Sequence, residues 1–280
     1  PPFVLQLLVM KNHKLLEKEF QADGIKINWH NMGTSPQAAR AMSSGSLDIA
    51  GNMNTAALLM LNSEGLPVRV VTGTAHPTSN FAIVSKPGTE LSVKDLKGKQ
   101  VVGPKGTFLH QLLVAALEKE GMRESDVQFI NMGIPKALST ILAGHADAAL
   151  VASSALIKAN KAGAKTIINA EGLVEPTLVM TTTKQFAEEH PDIVKRVDKV
   201  YAESLRWMKD HPSETAEMGA KEHGISIEDA KTLMERSHYF DKMTTKDLED
   251  LKVNQKFLRD NGMMRNEVTV EELVLPVAME

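Results

Sequence analysis

Five short clusters of small polar residues and glycine carry what chemistry this chain has. They are Thr34 and Ser35; Asn52, Asn54 and Thr55; Lys105, Gly106 and Thr107; Met132 and Gly133; and Ser153 and Ser154. Each follows a β-rich run and precedes a helical pattern. Residues of this kind cap helices and leave backbone N–H groups facing outward, a chemistry suited to holding an anion. In open parallel sheets ligands settle beyond the carboxyl ends of strands, where helices begin, and all five clusters fall there. Ser, Thr and Asn also cap helices that bind nothing, so any single cluster can be plain capping. Five of them in two matched sets point to a ligand. None contains an arginine: Arg40, Arg69 and Arg123 fall in a helix interior, a strand and a helix-to-strand turn. A bidentate carboxylate clamp is therefore not expected. Helix N-termini, hydroxyls, and Lys105 or His110 would hold the negative group. His110, one turn into its helix, either faces the cleft or lies at the surface.

Signals for catalysis or metal binding are weak. The nine histidines are scattered, with no His-Glu-x-x-His and no pair at metal-ligand spacing beside a carboxylate. Gly103 to Thr107 lacks the Gly-Lys-Thr ending of a phosphate loop, and no G-x-S-x-G elbow occurs. With no cysteine, disulfides, thiolate metal sites and a cysteine nucleophile are excluded. The expectation is a binder with no catalytic residue, metal or cofactor.

The elements that position these clusters come in two copies. Asn31-Met32-Gly33, then Pro36, Ala38, Gly45, Asp48 and Ala50, are answered by Asn131-Met132-Gly133, then Pro135, Ala137, Gly144, Asp147 and Ala149. From the proline onward the offset is a constant 99 residues. Each copy reads helix, strand, loop, helix, glycine turn, short strand, with the first strand at Ile25 to Trp29 or Val127 to Ile130. Such a repeat implies two similar α/β lobes with a ligand between them. The paired acids Asp48/Asp147 and Glu17/Glu118 then repeat because the architecture does.

Short β-rich runs at Val68–Val71, Phe81–Val84, Gln100–Val102 and Ala148–Val151 alternate with helical patterns, which predicts mostly parallel sheets flanked by helices. A helix is expected over Thr107 to Glu120, with Phe108, Leu109, Leu112, Leu113, Ala116 and Leu117 on its apolar face and Gly121 stopping it. From Lys184 onward only helices are predicted, including an amphipathic one over Asp192–Lys209. The polar stretch Thr72–Asn80 and the stretch Glu175–Thr183 read as crossovers. The first lobe is thus residues 1–76 plus 183–280, with the C-terminal helices added to its flank, and the second is 77–182. A length of 280 residues and 42% apolar content fit two lobes with real cores. A net charge of -3 argues against a nucleic-acid or membrane-surface role. No apolar run approaches a membrane span.

Several stretches resemble the solute-binding proteins of ABC importers of the nitrate, taurine and alkanesulfonate type. They are Leu91-Ser92-Val93-Lys94-Asp95-Leu96-Lys97-Gly98-Lys99, Lys105-Gly106-Thr107 with His110 to Leu113, Leu15 to Phe20, Ser44 to Ala50, and Phe186 to Pro191 followed by Trp207. The similarity covers nearly the whole chain. It implies a type II periplasmic-binding fold closing on a small organic or inorganic anion, with contacts at Thr34, Ser35, Asn54, Thr55, Gly106 and Thr107. It also implies a membrane permease as partner, a monomer, and a periplasmic or membrane-anchored extracellular location. Family members often carry Asp-Thr-Pro where this chain has Asn54-Thr55-Ala56, and many carry Trp-Asp-Pro where it has Ala152-Ser153-Ser154. Those departures argue against a taurine-like zwitterion. The family also has a signal sequence and a strand before the position of Pro2, so the recorded chain is expected to begin late. The same fold serves thiamine-pyrimidine proteins, the alternative reading, and the effector domains of transcription regulators. The first kind of enzyme would need a cysteine-containing reactive patch and the second an amino-terminal DNA-binding helix-turn-helix.

Overall fold

A computed structural model describes residues 3–32 and 35–279, without the side chain of Pro36. Its strands are β1 (Ile49–Asn54), β2 (Val68–Ala75), β3 (Phe81–Ser85), β4 (Gln100–Gly103), β5 (Gln128–Asn131), β6 (Ala148–Ala152), β7 (Thr166–Asn169) and β8 (Leu178–Thr183). They form two sheets, in the orders β1-β8-β2 and β5-β4-β6-β3-β7. Helices α1 (Leu5–Asn12), α2 (Leu15–Phe20), α3 (Ser35–Ser43) and α4 (Thr55–Ser63) come before or between β1 and β2. Helices α5 (Phe108–Lys119), α6 (Ile134–Leu142) and α7 (Ser154–Lys161) flank the second sheet. After β8 follow α8 (Lys184–Glu189), α9 (Pro191–Asp210), α10 (Pro212–His223), α11 (Ile227–Ser237) and α12 (Thr245–Asp260).

Strand direction differs from the expectation of mostly parallel sheets. In the first sheet β8 runs antiparallel to both neighbours, returning between two strands that share a direction. A sequence boundary at 182/183 would assign β8 to the second lobe, yet its hydrogen bonds are to β1 and β2. Only β5-β4-β6 is parallel in the second sheet; β3 pairs antiparallel with β6 and β7. Alternating apolar residues could not reveal this, since either direction buries the same face.

The repeat is visible in the backbone. Gly45 and Gly144 have φ of 70° and 73°. Each sits in the same closing turn: Gly45 N–H reaches Met42 O and Ser46 N–H reaches Ala41 O, as Gly144 N–H reaches Ile141 O and His145 N–H reaches Thr140 O. The copies part at the predicted strand Ile25–Trp29. Residues 25–32 are irregular, although Ile27 and Trp29 still turn inward at alternate positions. An apolar alternation becomes a strand only against a neighbour's edge, and no described strand runs beside this one. Trp29 is held by a side chain instead, its Nε1 donating to Glu17 Oε1 at 2.9 Å.

Helix α9 lies on α1, α2 and β2, and α12 lies on α4, so much of the C-terminal half covers the first sheet. It also reaches the second: Lys158 Nζ on α7 donates to His223 O at 2.7 Å, and Lys161 pairs with Asp229. The crossover after β2 is braced from the same side. His76 stacks on Phe240 with ring centroids 4.2 Å apart, and its Nε2 lies 3.1 Å from Asp247 Oδ1. One hydrophobic cluster runs through both halves, from Met53, Leu58 and Val70 to Ile83, Phe108 and Leu150.

Candidate functional site

The first cluster after residue 34 is built around Asn54, the last residue of β1. Its Oδ1 accepts the Ala57 N–H at 2.8 Å and caps α4, while its Nδ2 donates to Ser35 Oγ at 3.1 Å. The structure therefore brings Ser35 and Asn54 together; Thr34 lies outside the described residues. Thr55 is buried, and its N–H donates to Thr177 O at 3.1 Å, which ties the start of α4 to the return segment. Asn52 sits where β1 slips register between Ala50 and Met53, and its Oδ1 is buried without a partner. Asn54→Ala removes the cap and should cost about 1 kcal/mol of stability. A shift of the urea midpoint with unchanged slope would show it, and Asn54→Asp should recover it, because a carboxylate caps as well.

The loop before α5 belongs to the second sheet and abuts the first half. A Cβ placed on Gly106 would lie 3.6 Å from Met60 Cε, in the body of α4. Gly106 and the Ser35–Asn54 pair thus meet the same helix, at its side and at its start. Thr107 holds the N-cap position of α5, but its hydroxyl donates to Pro104 O at 2.9 Å instead of accepting from the helix. The first N–H groups of α5 have no acceptor within the helix.

His110 is neither cleft-facing nor a surface residue. It is 2% exposed and packed into the second half. Its Nδ1 accepts the Gly106 N–H at 3.3 Å, its Nε2 lies 2.8 Å from Glu124 Oε2, and its ring stacks on Phe129. Burial lowers its pKa from the ordinary histidine value, against the opposing pull of Glu124. The helical period that put His110 one turn into α5 gave no sign that the first two turns of this helix are covered on all sides; Gln111 and Val114 are buried too.

Gly133 is exposed at the N-cap of α6, and its loop is joined to the one before α5. Asn131 Oδ1 accepts the Lys105 N–H at 2.9 Å, and Met132 N–H donates to Gly103 O at 2.9 Å. The sequence reading passed over Asn131, although its place in the repeated Asn-Met-Gly motif was the available signal. Ser153 follows β6 and is buried beside the crossover, with its N–H on Asn80 O at 2.8 Å and φ at 51°. Its neighbour Ser154 has Oγ 3.3 Å from His223 Nδ1, the spacing of a nucleophile and its base. Burial above all, with Lys158 contributing, pushes that imidazole down to about 4, which makes it a weak base. Two surface cavities, of 280 and 420 Å³, lie elsewhere, beside His76 and Phe240 and beside Arg196 and Lys199.

Residues 19–215 match the model of the NMT1/THI5-like family, well over half of the chain. The chain belongs to the NMT1/THI5-like family. Among curated relatives, the taurine-binding periplasmic protein of Escherichia coli K12 is 29% identical over 180 residues, 63% of this chain and 55% of the relative. A Bacillus subtilis relative is 27% identical over 217 residues, 76% of this chain and 64% of its own length. The chain therefore spans under two thirds of either. Among solved structures, the alkanesulfonate-binding protein SsuA of Xanthomonas axonopodis pv. citri bound to MOPS aligns with a TM-score of 0.85 at 20% identity. The alignment covers 97% of this chain and 94% of that one. The periplasmic aliphatic sulphonate binding protein SsuA of Escherichia coli gives 0.83 at 18% identity, covering 99% and 90%. At such identities the likeness establishes the fold, and it is the periplasmic-binding-protein fold.

Proposed function

We propose that this family member is the solute-binding component of an ABC importer, capturing a small organic sulfonate between two lobes. The first lobe carries β1, β8 and β2 with the C-terminal helices, and the second carries β3 to β7. The observation that carries the reading is the meeting of the Gly106 loop with α4. It sets the open N-terminus of one lobe's helix against the side of α4, whose start is capped by a neutral, hydrogen-bonding pair on the other. Helix N-termini and hydroxyls suit a sulfonate, which is always ionised and spreads its charge over three acceptor oxygens. The likeness to taurine- and sulfonate-binding relatives supports the same class. The protein acts as a monomer outside the cytoplasmic membrane, delivers its ligand to a permease, and performs no turnover itself.

Asn54 is neutral, so its side chain does not offset an ammonium group. A plain alkanesulfonate should bind better than taurine. Thermal unfolding with ethanesulfonate, MOPS, taurine, nitrate and a hydroxymethyl-pyrimidine tests this, since a ligand at a hundred times its Kd adds about 2.7 kcal/mol. Stabilisation by ethanesulfonate above taurine is the expected result. A shift with the pyrimidine alone would replace the sulfonate reading with the thiamine-precursor one, and consumption of any ligand would overturn the non-catalytic role.

A further inference from the structure

The loop that meets α4 is held from behind. Gly106 has a left-handed φ of 69°. Its N–H, rather than facing a ligand, donates to His110 Nδ1 at 3.3 Å. An imidazole that accepts at Nδ1 and is neutral carries its hydrogen on Nε2, so His110 donates to Glu124 Oε2, 2.8 Å away. Phe129 fixes the ring plane, with centroids 4.8 Å apart and planes 7° from parallel. The neighbouring amide is held likewise, Lys105 N–H on Asn131 Oδ1. At 2% exposure His110 touches no solute.

We propose that His110 is a positioning residue for ligand capture: wedged between Glu124 and Phe129, it holds the Gly106 amide and so fixes the loop that presents the N-terminus of α5. The inference rests on the binding role proposed above. It gives the buried histidine a purpose that packing alone does not, because an apolar ring would fill the same space without supplying the acceptor. It also sets a condition. A protonated ring would turn N–H toward N–H at Gly106 and release the loop. The charged groups facing the ring are Glu124, from the turn after α5, and Lys105, from the loop itself; β5 faces it with Phe129, which does not titrate. Burial depresses the pKa below 6.5, so the neutral, holding form is the one present at pH 7. Affinity should fall as pH drops through that depressed value, where a sulfonate stays fully ionised.

Two variants separate holding from filling. His110→Gln places its amide near the Nε2 position, keeping a partner for Glu124 but leaving the Gly106 N–H without an acceptor. His110→Asn places its oxygen near the Nδ1 position and keeps that acceptor. Amide hydrogen exchange at Gly106 would be followed in the ligand-free proteins, and ethanesulfonate affinity by calorimetry near pH 7.5 and near pH 5. The Gln variant should exchange Gly106 faster and bind more weakly, each by roughly tenfold. The Asn variant should recover most of both losses and show a flatter dependence on pH than the wild type. Equal exchange in the two variants, or an undiminished pH dependence in the Asn variant, overturns the proposal. If the wild type binds no sulfonate, the importer reading falls, and the exchange comparison still decides whether His110 holds the loop.

Discussion

Gly106→Val should weaken ethanesulfonate binding at least about tenfold, roughly 1.4 kcal/mol, while the ligand-free protein stays folded. Room is not the obstacle, because the nearest atom to a new Cβ is Met60 Cε at 3.6 Å, an ordinary contact. The backbone is. At φ 69° an L-residue is strained by roughly 1–2 kcal/mol, and a β-branched one fares worse. Relief comes from turning φ negative, which swings the amide away from His110 and re-aims the first turn of α5. Gly106→Ala distinguishes causes: it carries the same backbone strain with little bulk. If strain governs, Ala should lose most of what Val loses. If Ala binds as the wild type does and Val does not, bulk against the ligand is responsible. Affinity within twofold of wild type for both variants would mean the site is not built on this loop.

Much of this frame was legible in the residues. The 99-residue offset between Gly45 and Gly144 appears in the structure as one turn made twice, because a helix that must stop and reverse asks for glycine in both copies. Helix α5 and the strands at Val68, Phe81, Gln100 and Ala148 fall where period and β-branched content put them. What escaped depended on partners distant in sequence. Glu175–Thr183 read as a crossover; its Leu178–Thr183 part pairs between β1 and β2 and serves as strand, with Thr181 and Thr182 fully buried. Ile25–Trp29 had the right alternation and, among the described residues, no strand to pair with. At the site, the small residues announced helix N-termini, but which amides remain open was set by Thr177, Asn131 and His110, none of them obvious from spacing. His110 was misplaced for one reason: a helical wheel shows direction, and only the tertiary fold shows that every direction is covered around the first two turns of α5.

Gly103→Ala should be the most damaging small change near the site, destabilising the protein by about 3 kcal/mol. Gly103 ends β4, between β5 and β6, and a Cβ there would lie 2.5 Å from Leu150 Cβ and 2.6 Å from its Cγ. A flexible tip could swing aside, but a Cβ cannot, since the β6 backbone fixes it. Leu150 is fully buried, so β4 and β6 must separate or the core side of the sheet must deform. For a protein of this size the loss corresponds to roughly 6–12 °C in melting temperature. Gly133→Ala is the control: its φ is −65° and nothing but Pro135 Cδ, at 3.9 Å, comes near, so a change within about 0.5 kcal/mol is expected. A double-mutant cycle assigns the cause. Leu150→Gly is costly alone but removes the opposing Cβ, so Gly103→Ala should cost markedly less in that background, a coupling of about 1–3 kcal/mol. Additive losses would show that the strands do not approach this closely. The same change bears on binding, because Gly103 O receives the Met132 N–H and Pro104 follows at once. A sheet forced apart here cannot keep the Lys105 and Gly106 amides on Asn131 and His110, and ethanesulfonate affinity should fall with stability rather than independently of it.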